Sequence, residues 1–118
     1  MNFSNGSLRV YAHVGIKPVG TLSETAKVLG EILAVSFFED KSGRFDEFPA
    51  FIAEATHIRY ALLGNPDPEE DLRDDPTEDF ELVIEPRDQT LTSQKADKSD
   101  ELVSIISLDG RIDCWVLR

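Results

Sequence analysis

The segment DFELVIEP, residues 79–86, has the clearest strand pattern in the chain. Phe80, Leu82 and Ile84 occupy every second position, and acidic or β-branched residues lie between them. Successive side chains of a strand point to opposite faces of a sheet, so this alternation predicts a strand with one buried face. A single strand cannot bury that face alone, and the flanking sequence offers partners for it.

Three other regions carry strand patterns. Residues 8–17, LRVYAHVGIK, alternate between apolar and polar side chains and stop at a Pro. Residues 57–64, HIRYALLG, do the same and stop at Asn-Pro. Residues 34–39, AVSFFE, precede a DKSG turn, so residues 44–48, RFDEF, are interpreted as a returning strand.

Two segments predict helices. In residues 21–34, TLSETAKVLGEILA, Thr21 and Glu24 have the spacing of a capping box, and leucines recur at helical spacing. Residues 49–55, PAFIAEA, predict a short second helix, because Pro49 suits the first helical turn.

The C-terminal segment has two interpretations. Residues 101–118, ELVSIISLDGRIDCWVLR, place a DG pair between two apolar runs, which favours a β-hairpin rich in β-branched residues. The alternative is a helix over residues 99–107, capped by Ser99.

The resulting order, β-α-β-β-α-β-β-β-β, predicts an α+β fold. We expect one domain over residues 1–118, with a single antiparallel or mixed β-sheet and two helices packed on one face. A chain of 118 residues is long enough to bury a core without covalent staples. One cysteine excludes an intrachain disulfide, and no long apolar segment or signal sequence is evident, so we expect a cytoplasmic protein.

Charge is concentrated in PDPEEDLRDDPTEDFE, residues 66–81. Nine of its sixteen residues are acidic and one is basic, so it supplies −8 of the net charge of −11. Such a field repels nucleic acids and anionic membranes, because both are polyanions, and it attracts basic proteins. We therefore expect a basic protein partner, with no nucleic-acid or membrane partner.

Three interpretations of the acidic stretch compete. A solvated loop is the simplest. A calcium loop of the EF-hand type is disfavoured, because Leu72 stands where that loop needs glycine, and we expect no metal or other cofactor. A partner-binding surface is favoured, because prolines restrict the loop and apolar side chains accompany the charge. The predicted partner-binding residues are Asp67, Glu69, Glu70, Asp71, Asp74, Asp75, Glu78, Asp79 and Phe80, together with a second cluster of Glu39, Asp40, Asp46 and Glu47.

No arrangement of residues predicts catalysis. His13 and His57 fall on the polar sides of predicted strands, and no sequence neighbour orients either as a base. Cys114 lies within an apolar alternation and is expected to be inert. Trp115 has the opposite parity, so it either meets a second packed layer or is exposed as an interface residue. We expect no catalytic residues and no enzymatic activity; the alternative is a small enzyme that uses His13 or His57 as a general base with a carboxylate.

The region FFEDKSGRFDEFPAFIAEATHIRYALLGNP, residues 37–66, and the acidic residues 67–81 after it resemble the immunity proteins of bacterial toxin–immunity systems, including contact-dependent growth inhibition. The resemblance implies a small cytosolic α+β protein that binds a cognate toxin, often a basic nuclease, and occludes its active site. The alternative function is an acidic DNA mimic or adaptor that regulates a host DNA-binding protein.

Overall fold

The strand predicted from residues 79–86 lies inside a six-stranded antiparallel sheet. The computed structural model describes residues 12–43, 45, 48–55, 58–66, 69, 78–86 and 98–117. Their elements are β1 (Ala12–Ile16), α1 (Leu22–Leu33), β2 (Phe38–Glu39), β3 (Ala50–Glu54), β4 (Ile58–Leu63), β5 (Phe80–Pro86), α2 (Ser99–Asp109) and β6 (Cys114–Val116). The strand order is β2-β3-β4-β5-β1-β6, with antiparallel neighbours throughout. The predicted α+β fold, with one sheet and two helices, is confirmed.

Both helices pack on one side of the sheet, which we call the covered face. Leu82 of β5 pairs with Val14 of β1 and Leu62 of β4, and all three side chains are fully buried on this face. Leu29 of α1 and Ile106 of α2 complete the same apolar cluster. The alternation predicted for β1, β4 and β5 is therefore confirmed within the described residues.

The opposite side of the sheet, the open face, carries neither α1 nor α2. The strand registers give its members as Phe38, Ala50, Ile52, Glu54, Arg59, Ala61, Leu63, Glu81, Val83, Glu85, His13, Gly15 and Trp115. Its centre is apolar and includes the buried Ala50 and Ala61, and its ends are charged.

Helix α1 begins and ends as its sequence dictates. The Thr21 side chain accepts from the Glu24 backbone N–H, and the Glu24 carboxylate accepts from the Thr21 backbone N–H, so the predicted capping box is present. The hydrogen bond from the Thr21 backbone N–H to the carboxylate is the main reason that the pKa of Glu24 lies below its usual value. The helix ends at Ala34 in the left-handed conformation, and Gly30 admits the close approach of the Val35 carbonyl.

The predicted helix over residues 49–55 is wrong, because this segment forms β3. Ala50–Glu54 pairs with β4 on one side and β2 on the other. Hydrogen bonding to two strands outweighs the local preference of Pro49 for a first helical turn, which is a weak signal. The predicted returning strand, residues 44–48, is also displaced, since Phe45 and Phe48 lie outside the strands and pairing starts at Ala50.

The favoured C-terminal hairpin is also wrong, and the helical alternative is correct. Ser99–Asp109 forms α2, and Gly110 ends it in the left-handed conformation with φ of 88°. Leu102 and Ile106 lie one turn apart and are buried in the core, so tertiary packing overrides the β preference of branched residues. The predicted cap is displaced by one residue: Lys98 occupies the cap position, and Ser99 accepts from the backbone N–H of His13.

In the described part of the chain, neither helix is long and apolar enough to cross a membrane.

Candidate functional site

Two chain connections that carry acidic residues leave the sheet at the same end. At the end of β2, the Asp40 N–H donates to the Ala50 carbonyl at 2.9 Å, and at the end of β4 the Gly64 N–H donates to the Pro49 carbonyl at 2.8 Å. Leu63 pairs with both Ala50 and Glu81, so β5 also begins here. We call this the acidic end of the sheet. The β2–β3 and β4–β5 connections both start and finish at it.

Six of the predicted partner-binding residues are described. Glu39, Glu69 and Glu78 are exposed, and Asp40 and Asp79 are partly buried. Phe80 is treated separately below. The remaining predicted residues lie outside the described residues: Asp46, Glu47, Asp67, Glu70, Asp71, Asp74 and Asp75.

Hydrogen bonds fix the start of the β2–β3 connection and both ends of the β4–β5 connection. Asp40 Oδ1 accepts from the backbone N–H of Ser42 at 3.1 Å and from its hydroxyl at 2.7 Å. Asn65 Nδ2 donates to the Glu78 carbonyl at 3.0 Å, which ties the start of the β4–β5 connection to its end. The backbone that carries the neighbouring acidic residues is therefore held in a defined position at these points.

The structure corrects the interpretation of Phe80. Its side chain is 8% exposed and belongs to the core cluster, opposite Ile16 of β1. A ring enclosed by the covered face cannot contact a partner, so Phe80 is a core residue and is removed from the candidate surface. The alternation of residues 79–86 already predicted this inward orientation, and that signal outweighs proximity to the acidic stretch.

Phe38 is the exposed aromatic beside the charge. It lies on β2, next to Glu39, and 71% of its surface is exposed. Phe45 and Phe48, its neighbours in the second acidic cluster, are half-buried. All three phenylalanines are interleaved with this cluster in the sequence, which by itself does not separate Phe38 from the others.

A histidine–carboxylate pair lies on the open face close to the acidic end. His13 Nε2 and Glu81 Oε1 are 2.7 Å apart, with 43% and 39% of the side chains exposed. Trp115 lies opposite Gly15, the strand partner of Glu81, and any Cβ at Gly15 would overlap the indole ring. The predicted outward orientation of Trp115 is confirmed, and no described helix covers it.

The geometry does not assemble a cysteine–histidine nucleophile. Cys114 is on the covered face, with its Sγ 3.7 Å from both the Ser107 hydroxyl and the Val103 carbonyl, whereas His13 is on the open face. Burial raises the pKa of the Cys114 thiol, which is opposite to the change that a reactive thiolate needs. His57 lies outside the described residues. Among the residues that the structure describes, no group of three or more His, Cys, Asp or Glu side chains could hold a metal ion.

Comparison with known proteins gave no match to a family model, to a curated protein or to a solved structure.

Proposed function

We propose that this protein is a cytoplasmic immunity-type inhibitor, which binds a basic protein toxin through its acidic end and covers the toxin's active site. It acts by binding and needs no catalytic residue or cofactor. The observation that carries the proposal is the departure of both acidic connections from one end of the sheet. Two acidic segments that are distant in sequence thereby leave the sheet from neighbouring strand ends.

The proposed partner follows from charge. A nuclease cleft is lined by Arg and Lys, because it binds phosphates. Carboxylates presented at similar spacing can occupy such a cleft and form charge-assisted hydrogen bonds with it. A net charge of −11, mostly from one stretch, also steers a basic partner toward that stretch and speeds its capture.

Partial preorganisation supports the same proposal. The Asn65–Glu78 hydrogen bond closes the base of the β4–β5 connection, and the Asp40–Ser42 turn shapes the start of the β2–β3 connection. Ordering these boundaries before binding lowers the entropy that association must overcome.

The test begins with co-purification of the tagged protein and identification of its bound partner. Association rates with that partner are then compared for the wild type, the matched single variants Glu78→Gln and Glu101→Gln, and the triple variant Glu39→Gln/Glu69→Gln/Glu78→Gln. Glu101 is an exposed glutamate on α2 and serves as the control. We expect the triple variant to associate about tenfold more slowly at low salt, with Glu101→Gln close to wild type.

Association that is insensitive to salt and to the triple variant would remove the acidic end from the mechanism. Recovery of a host DNA-binding protein, displaced from DNA by this protein, would favour the DNA-mimic function instead. A toxin whose enzymatic activity disappears on binding would support the inhibitor.

A further inference from the structure

The two edges of the sheet differ in how much backbone they expose. β6 forms one edge, and Cys114, Trp115 and Val116 are all half-buried, with α2 packed beside them. β2 forms the other edge, and both of its residues, Phe38 and Glu39, are exposed. In the described part of the chain, β2 is therefore the more accessible edge for another strand.

The register shows which backbone groups point outward from β2. The Asp40 N–H donates to the carbonyl of Ala50 directly opposite, so Asp40 and Phe38 occupy the hydrogen-bonded positions of the ladder with β3. In an antiparallel ladder the residue between two such pairs directs its N–H and C=O away from the partner strand. Glu39 therefore presents its backbone donor and acceptor to the side of β2 on which no other described strand lies, which we call its free edge.

Grooves on both sides of β2 can receive the side chains of an added strand. One groove, of about 720 Å³, lies on the open-face side and includes Ile52 and Phe38 in its wall. The other, of about 430 Å³, lies between β2 and α1 and includes Phe37, Phe51 and Gly30. Alternate side chains of an extended segment point to opposite sides, so one segment can fill both grooves.

The two grooves differ in chemistry. The open-face groove includes Asp40 and Glu54 on its own side, Glu39 from the covered side, and one cation, Arg59. Arg59 is held by Glu54 through Nε and Nη2, at 3.1 and 3.0 Å. The groove beside α1 has three phenylalanines in its lining, with one Lys, one Glu and two Ser as its polar residues. The fitting segment alternates basic and apolar residues.

We propose that the partner adds an extended segment of alternating basic and apolar residues to the free edge of β2, antiparallel or parallel to it. The basic character of the partner is taken from the proposed function. The addition of a strand at β2 specifies how that partner would be bound. Main-chain hydrogen bonds at Glu39 provide the pairing, and the two grooves provide the sequence preference.

A second copy of this chain is a poorer occupant. Pairing of two β2 edges would bring Asp40 of one copy toward the carboxylate-lined groove of the other, between molecules that each carry a charge of −11. Charged residues on an edge strand are a recognised protection against self-pairing. The same charges favour a basic segment.

The probe is a short acetylated peptide of alternating lysine and valine. One control is a glutamate–valine peptide. The other is a pair of lysine–valine peptides N-methylated at every second residue, each of which lacks the N–H donors along one of its two edges. Backbone amide shifts and hydrogen exchange of the full chain are measured by NMR. We expect slower exchange of the Glu39 amide with lysine–valine, no binding of glutamate–valine, and loss of binding with one N-methylation pattern.

Two protein variants isolate the backbone contribution. Glu39→Gln removes the charge and keeps the N–H, whereas Glu39→Pro removes both, at a position whose N–H does not pair with β3. We expect Glu39→Pro to bind the lysine–valine peptide about tenfold more weakly than Glu39→Gln. The N-methylated peptides test the same contact without altering the protein, so the result does not depend on the folding of Glu39→Pro.

Each contrary outcome has a separate meaning. Protection at Cys114 and Val116 instead of Glu39, or equal binding of every N-methylated peptide, would overturn the edge-pairing proposal. Equal binding of the glutamate–valine peptide would overturn the claim that the bound segment is basic. A dimer in sedimentation that Glu39→Pro dissociates would assign the edge to self-association and overturn the proposal. Failure of the proposed function would be recognised separately: the rate of association with the co-purified partner would not change when Glu69 and Glu78 are substituted.

Discussion

The two faces of the sheet are built from the same strands but differ in how deeply their side chains are buried. On β4, the neighbouring residues Leu62 and Leu63 point to opposite faces: Leu62 is fully buried beneath the helices, and Leu63 is half-buried on the open face. The covered face raises the pKa of Tyr60 and of Cys114 through burial. The open face holds the solvent-exposed His13–Glu81 pair. In the part of the chain that the structure describes, the helices lie over one face only.

The largest expected effect comes from the two adjacent leucines. Leu62→Ala should lower the free energy of unfolding by about 3 kcal/mol, because it leaves a cavity in the packed core. Leu63→Ala, the matched control, should cost about 1 kcal/mol, since that side chain is already partly in water. Urea denaturation of both variants gives the values. Equal costs would mean that the open face is as tightly packed as the covered face.

The second effect tests the contact of Trp115 with Gly15. Gly15→Val should cost about 2 kcal/mol, because the new side chain would overlap the indole ring. In a Trp115→Ala background the same change should cost little, since the strand favours a β-branched residue over glycine. A four-member mutant cycle in urea measures this coupling. The same cost in both backgrounds would show that the penalty arises elsewhere than at the indole.

The third effect is a pH dependence of the covered face. Burial raises the pKa of Tyr60 above its usual value of 10.0, because the ionised phenol is poorly solvated there. Its contribution to stability is therefore complete below pH 10.0 and is lost as the pH rises through the folded-state pKa. The free energy of unfolding should fall less steeply with alkaline pH in Tyr60→Phe than in the wild type. Identical slopes would contradict this prediction.

The smallest effect is expected from the open-face ion pair. His13 and Glu81 are each about two-fifths exposed, so their coupling should be below about 1 kcal/mol and should weaken with added salt. A double-mutant cycle with His13→Ala and Glu81→Ala measures it. A coupling of several kcal/mol, insensitive to salt, would show that the pair is screened from water as the covered face is.

Local patterns predicted part of this architecture correctly. The capping box of Thr21 and Glu24 started α1 where expected, because both hydrogen bonds form within one turn. The period-two alternation of β5 assigned Phe80, Leu82 and Ile84 to one face, because strand geometry leaves no other arrangement. The same parity placed Trp115 opposite Cys114.

The errors occurred where distant contacts decide the local conformation. Residues 50–54 contain an apolar segment of a length that suits either a strand or a helical turn, and only pairing with β2 and β4 makes it a strand. Residues 99–109 are rich in β-branched side chains, yet as helix α2 they contact β1 and α1 and bury Leu102 and Ile106 in the core. Neither the strand at residues 50–54 nor the helix at residues 99–109 can be predicted from the local sequence alone.

The candidate site divides in the same way. Composition alone located the charge in residues 66–81, and with it the expectation of a basic partner. Only the sheet topology brings the two acidic connections to one end, removes Phe80 to the core, and leaves Phe38 and Glu39 on an exposed edge. Charge is a sum over residues and needs no fold, whereas proximity and exposure depend on which strands pair.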